Sequence, residues 1–428
     1  MRPRDLGFLL PFGLALLPAA AVALTGRGVP ADVAAWLPIA VIFGVLPVVD
    51  AALGMDTANI DVHDAGPTAA HGYFRLLPIL ALPVWSLTLI YCVAQFQQLP
   101  LGPAGMIGWV LSTGILGGIL AINPAHELIH KTGWFERACG GLLLTSVGYH
   151  GFKIEHVRGH HVHVATPADN STARLGESVY PFMARAFLRN VANAWRLETR
   201  RLRTLGFPAW SWRNEMLGWS VLWLALTAVA ASVGGFAAAG FFLAQGLAAA
   251  ASLEVINYIE HYGLMRAEVA PGRYERVSHL HSWNASQRLS NWLLFNLQRH
   301  SDHHERASRP YPALLHHDDS PQLPAGYATM YVLALVPPLW HRVMDDRVAR
   351  AQAGAVRRQP DRTRQPARAD INQPMRNCPG TAMSALLRST RLTWASGGPS
   401  SSQRPSSANA ASSPQATTST VPSGRFFA

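Results

Sequence analysis

Cysteine is nearly missing from this chain. Its 428 residues include three, Cys92, Cys139 and Cys378, each far from the others. No CxxC pair exists, which excludes a zinc ribbon, a rubredoxin-type iron site and a disulfide framework. Charge is scarce too: 14% of residues are charged and 49% are hydrophobic, whereas an ordinary soluble domain carries about 25% charged residues. That balance is the balance of a membrane protein. Acidic residues are outnumbered, 25 Asp and Glu against 36 Lys and Arg, for a net charge of +11. Most of the excess is local, because residues 351–428 hold ten Arg and two Asp. Basicity therefore belongs to the tail, and no nucleic-acid partner is expected.

Long apolar runs are what the chain has in quantity. Gly7 to Thr25, Trp36 to Leu53, Leu76 to Phe96, Ala104 to Asn123, Leu217 to Val233 and Phe236 to Val255 all approach the ~20 residues that cross a bilayer. They point to an all-α integral membrane protein with about six transmembrane helices, in a domain spanning residues 1–349. The first run follows Arg2 and Arg4 and also fits a cleaved signal peptide. Six spans put both termini on one side of the membrane. Twelve Lys and Arg between Lys131 and Arg213 make that side cytoplasmic by the positive-inside rule. Within this loop Arg185–Arg203 has the pattern of a basic amphipathic helix, expected along the anionic inner leaflet. Gly326–Trp340 is apolar but short and is interrupted at Pro337–Pro338, so an interfacial or re-entrant segment is expected. From 350 to 428 the Arg/Ser/Pro-rich composition cannot build a core, and disorder is expected.

Histidine is the second surplus, with 18 in the chain. Eight fall in three tight clusters on the expected cytoplasmic side. HELIHK contains His126 and His130, EHVRGHH contains His156, His160 and His161, and HSDHH contains His300, His303 and His304. On an α-helix His156 and His160 share one face at i and i+4, with His161 flanking them. Imidazole-rich ligation suits iron, copper, nickel or zinc. HELIH alone also matches a zinc protease with Glu127 as base, and a metal-transport protein is a further alternative. A single zinc takes only three or four protein ligands. Eight clustered histidines are too many for it, so two metals are the economical reading.

The set H-x3-H, H-x3-HH and H-x2-HH on the ends of membrane helices resembles the membrane di-iron superfamily of desaturases, hydroxylases and monooxygenases. NYIEHYGL (Asn257–Leu264) and LQRHSDHH (Leu297–His304), with HELIHK and EHVRGHHVHVATPADNSTARLGES, are similar to signature segments of membrane-bound alkane 1-monooxygenases. The similarity extends over roughly residues 40–349. From the residues alone, His261 stands singly at a helix end and is an open candidate. The resemblance implies that it is a ninth iron ligand beside His126, His130, His156, His160, His161, His300, His303 and His304, with no catalytic residues beyond the metal ligands. Glu127, Glu155, Glu260 and Asp302 are expected to fix imidazole tautomers, or to bridge the metals. His63, His71, His150, His163, His279, His281, His316, His317 and His341 inherit no role and are expected to be structural.

The same resemblance implies two non-haem iron ions, O2 as co-substrate and terminal hydroxylation of n-alkanes to primary alcohols. No bound flavin or nicotinamide is expected. Electrons are expected from NAD(P)H through a rubredoxin reductase and a separate rubredoxin, since this chain has no CxxC pairs to form its own. The setting implied is the bacterial inner (cytoplasmic) membrane, with the histidine site facing the cytoplasm. A saturated chain offers no charge to grip, so an apolar tunnel open to the lipid bilayer is expected to select it. An acyl-chain desaturase or hydroxylase of the same superfamily is the alternative.

Overall fold

The computed structural model describes residues 3–61 and 71–358. His63, Cys378 and the expected disordered tail beyond Arg358 lie outside the described residues.

Proline divides the first apolar run. Arg4–Leu14 (α1) and Leu17–Thr25 (α2) are bent by 47° relative to one another. Pro18 has no N–H to offer Leu14, and its ring clashes with that carbonyl, so one straight helix cannot form. Phe8 of α1 is buried against Phe74 and Tyr311, at ring-centroid distances of 6.1 and 5.1 Å. Leu37–Leu53 (α3) is a shorter apolar helix. Gly72–Gln98 (α4) and Pro103–Ile129 (α5) have 27 residues each, or about 40 Å of helix, enough to cross a bilayer.

Glu215–His261 (α9) has 47 residues and would reach about 70 Å if straight, more than twice the apolar thickness of a membrane. The backbone leaves helical geometry at Gly234 and Gly235, where Gly235 has φ 65° and ψ −166°. Only glycine takes that conformation without strain, so the pair divides α9 into two arms. Among the described residues, three helices are long and apolar enough to cross a membrane, and α1 with α2 makes a fourth if the bent pair is one span.

α5 and α9 pack backbone to backbone. A Cβ on Gly114 would meet Ala248 Cβ at 2.5 Å and Gln245 O at 2.9 Å, the close approach that small residues permit between membrane helices. Around this contact Trp85, Leu116, Ala121, Leu143 and Ala249 are fully buried.

Trp134–Ser146 (α6) follows α5, and residues 152–163 form the helix of the middle histidine cluster (α7). Val179–Thr204 (α8) differs from expectation. Val179, Phe182, Ala186, Asn190, Ala194, Glu198 and Leu202 are buried, a stripe repeating at three to four residues that packs on α7 and α9. The stripe is therefore satisfied by protein.

A short antiparallel hairpin, Glu268–Ala270 (β1) with Arg273–Tyr274 (β2), leads to Arg288–Leu293 (α10) and His300–Glu305 (α11). The segment expected to be interfacial becomes Tyr327–Ala334 (α12), ending before the proline pair that opens Pro337–Arg358 (α13). α13 buries Trp340, Met344 and Val348 completely, and Gln352 Nε2 donates to Gly263 O at 2.8 Å. The described fold thus continues past the boundary placed at residue 349.

Three wide helical turns with i→i+5 bonding interrupt these helices: Val41–Val45, Gly118–Ile122 and His156–His160. Pro47 and Pro124 would direct their rings at the carbonyls of Phe43 and Leu120, both inside the first two of these turns. Widening the turn relieves that clash without ending the helix.

Candidate metal centre

The nine histidines, scattered over residues 126–304, meet in two adjoining groups. His126, His130, His156, His161 and His303 form one, and His160, His261, His300 and His304 the other. In each group one nitrogen per ring lies within 4.8 Å of every other. His130 and His161 are half-buried, and the other seven are buried.

The partition departs from the α-helical expectation for the middle cluster. Because His156–His160 is a wide turn, His156 comes round to His161, with Nε2 atoms 3.0 Å apart. His160 instead joins the other group, 3.2 Å from His304 Nε2. Gly159 leaves room in this turn for the Glu155 carboxylate, whose Oε1 would lie 2.6 Å from a Cβ there. α11 divides in the same way. His300 and His304, one turn apart, have Nε2 atoms at 2.9 Å, while His303 Nε2 is 3.1 Å from His161 Nε2. His261, at the end of α9, lies 3.1 Å from His300 through the Nε2 atoms.

These spacings test whether a metal fits. Two imidazole nitrogens at ~2.1 Å from one ion are separated by about 3.0 Å when they subtend a right angle and about 3.4 Å in a tetrahedron. The observed Nε2 pairs span 2.9 to 3.2 Å. The buried Nε2 atoms of His126 and His130 also have no hydrogen-bond partner, a costly arrangement unless something else binds there. Burial, reinforced by neighbouring imidazoles, holds His156, His161, His300, His303 and His304 well below the ordinary histidine pKa. Neutral rings are the ligating form. Donor set, spacing and protonation all fit metal ions.

Around the groups, carboxylates and hydroxyls orient rings. Asp169 Oδ2 lies 3.0 Å from His160 Nδ1 and accepts from Thr172 Oγ1 at 2.6 Å and, through Oδ1, from Ser171 N at 3.1 Å. For His160 burial pushes the pKa down, but Asp169 outweighs it and the net shift is upward. Asp169 was not singled out from sequence; it sits in a loop eight residues past the cluster, and no spacing rule points to it. Ser282 Oγ is 3.3 Å from His261 Nδ1.

The four carboxylates expected to hold imidazoles behave differently from one another. Glu260 contacts a clustered ring, with Oε2 at 3.2 Å from His300 Nε2, and accepts from Tyr327 OH at 2.9 Å. Glu127 is paired with Lys131 and accepts from Tyr311 N, which removes it from the role of free base in a zinc-protease motif. Glu155 accepts from Asn193 Nδ2 at 3.3 Å, and burial raises its pKa to about 8. Asp302 turns away to Arg309, Leu315 N and His317 Nε2. Neither histidine group contains a carboxylate.

A cavity of about 100 Å³ adjoins both groups. His126, His156, His300, Asn257 and Glu260 contribute to its wall, and Ile42, Phe43, Ile119, Ile122, Leu253, Ile256 and Leu294 supply much of the rest. Two of the three wide turns line it with apolar side chains, and the third supplies His156.

Fold and site together define a helical membrane metalloprotein with an imidazole-rich centre beside an apolar cavity. The fatty acid desaturase family matches residues 101–334. Alkane 1-monooxygenase 1 of Pseudomonas aeruginosa is 50% identical over 327 residues, covering 76% of this chain and 85% of that protein. Alkane 1-monooxygenase 2 of Alcanivorax borkumensis is 49% identical over 318 residues, covering 74% and 83%. The xylene/toluene monooxygenase hydroxylase component of Pseudomonas putida is 30% identical over 238 residues, covering 56% and 63%. The chain belongs to the alkane 1-monooxygenase family.

Proposed function

We propose that this protein hydroxylates n-alkanes at a terminal methyl group, using two non-haem irons, one at each histidine group. The observation that carries the reading is the apolar cavity ending against imidazoles of both groups. When bound, the irons supply reductive activation of O2, with one oxygen entering the C–H bond and the other leaving as water.

The chain's own residues do the rest. Ile119, Ile122, Leu253 and Ile256 offer dispersion contacts and no hydrogen bonds, so a saturated chain is taken up and water is disfavoured. Asp169 fixes the His160 ring through Nδ1 and leaves Nε2 toward the centre. Glu260, held by Tyr327, reaches His300 from the cavity wall on the other side, at the Nε2 that faces the centre.

Electrons come from NAD(P)H through a separate rubredoxin and its reductase, a reading supported by the lack of CxxC pairs. The membrane is the bacterial inner membrane, crossed by α1–α2, α3, α4, α5 and the two arms of α9. The centre and both termini face the cytoplasm, as the twelve Lys and Arg between Lys131 and Arg213 favour.

Membranes containing the protein, supplied with octane, rubredoxin, rubredoxin reductase and NADH, should yield 1-octanol. His160→Ala and His303→Ala should lose both product and iron, whereas His341→Ala should lose neither. Unsaturated acyl products without 1-octanol would replace this reading with a desaturase.

A further inference from the structure

His279 and His317 were expected to be structural, and Glu305 closes a cluster with them. The three form a third group in which one ligand atom from each lies within 4.8 Å of the others. Their side chains are 24%, 29% and 23% exposed, so the cluster lies nearer the surface than the nine-histidine centre and shares no residue with it. We propose that this trio is a separate binding site for a divalent first-row transition metal of borderline softness, zinc above all.

Two features separate the cluster from an ordinary surface group of polar residues. The imidazoles of His279 and His317 lie side by side, with centroids 4.5 Å apart and planes 11° from parallel, so both rings are within reach of one ion once one of them turns about its Cβ–Cγ bond to bring its in-plane lone pair round. Each ring is also anchored through Nε2 to a carboxylate outside the trio: His279 to Asp319 at 3.2 Å and His317 to Asp302 at 2.9 Å. With Nε2 so engaged, Nδ1 is the ligand atom on both rings. Glu305 Oε2 already lies 2.8 Å from His279 Nδ1, close to the separation expected of two adjacent ligands at ~2.1 Å from one ion. A ligating ring whose other nitrogen donates to a carboxylate is the arrangement that orients a metal-bound histidine and raises its basicity. Two imidazoles and one carboxylate, partly open to solvent, suit zinc or ferrous iron rather than calcium or magnesium, which prefer all-oxygen shells.

The three ligands come from separate segments: the loop after β2, the last residue of α11, and the loop before Asp318. An ion there would tie α11 from outside while His300, His303 and His304 on the same helix face the nine-histidine centre.

The test uses iron-loaded, full-length protein in detergent. It is incubated with zinc chloride and desalted, and both metals are measured. One zinc per chain should be retained beyond the iron, and zinc should raise the Tm. His279→Ala and His317→Ala should each lose the zinc and the Tm increase while keeping wild-type iron, which also reports that the variants are folded. The proposal is overturned if wild type retains no zinc, if zinc is gained only as iron is lost, if the variants retain zinc as wild type does, or if they lose iron together with zinc.

Discussion

Asp169 is the side chain whose consequence is sharpest at the level of single residues. It touches one ring, His160, and its other bonds go to Thr172 and Ser171. Asp169→Asn keeps the shape but removes the charge that supports His160. Loss of such an outer partner typically costs 10–100-fold in metal affinity or activity. Asp169→Asn should therefore weaken iron retention by about that factor, measured as iron remaining after graded chelation, with helix content by circular dichroism unchanged. Eight of the nine clustered histidines were legible from their spacing, because imidazoles so arranged have few other uses; His261, single at a helix end, was added only by the family resemblance. Asp169 was not legible, since an acidic residue in a polar loop looks the same whether it caps a turn or holds a ring. Asp302 shows the converse: adjacent to His303 in sequence, it points to Arg309 and His317.

Among the elements, α8 changed most between sequence and structure. Its amphipathic pattern was legible, but its partner was not, because a lipid surface and a protein groove demand the same stripe. What selects the groove is Glu198, completely buried on that stripe. It accepts from Arg158 of α7 at 2.9 Å, from Arg201 Nη2 at 2.6 Å and from the Glu215 backbone at the start of α9 at 3.0 Å. Burial alone would raise its pKa, but Arg201, the Glu215 N–H and Arg158 outweigh burial and bring it down to about 2. A carboxyl depressed in the folded state adds stability above its ordinary pKa and loses it as pH falls through the folded value. Glu198→Gln should thus lower Tm at pH 7 by an amount worth roughly 1–2 kcal/mol, after discounting for the partly exposed arginines. The gap to wild type should close as pH falls from about 5 towards 2. A gap independent of pH would assign Glu198 a packing role only.

Over the whole molecule, the apolar runs marked the helices well because length and hydropathy decide membrane crossing. The bends escaped, because proline yields a break at Pro18 and a wide turn before Pro47 and Pro124 according to what packs around it. α13 was also cut short, since its residues beyond 349 look like the tail in composition while Trp340, Met344, Val348 and Gln352 fasten the helix to the body. Removing residues 359–428 should leave iron content and turnover intact, whereas truncation before Trp340 should lose both; iron analysis of the two purified products checks this.

The adjacent histidines of each doublet part company: His160 and His304 serve the four-histidine group, and His161 and His303 the five-histidine group. Neighbours on a helix diverge by about 100°, so a doublet cannot crowd one ion without distorting the backbone. It works as a two-address label instead, each member delivered to a different destination. HELIH, with no doublet, delivers both of its histidines to one group. Within the nine clustered histidines the number of doublets therefore counts the helices that straddle the boundary between the two groups, and that number is two; the chain's third doublet, His316–His317, lies outside both.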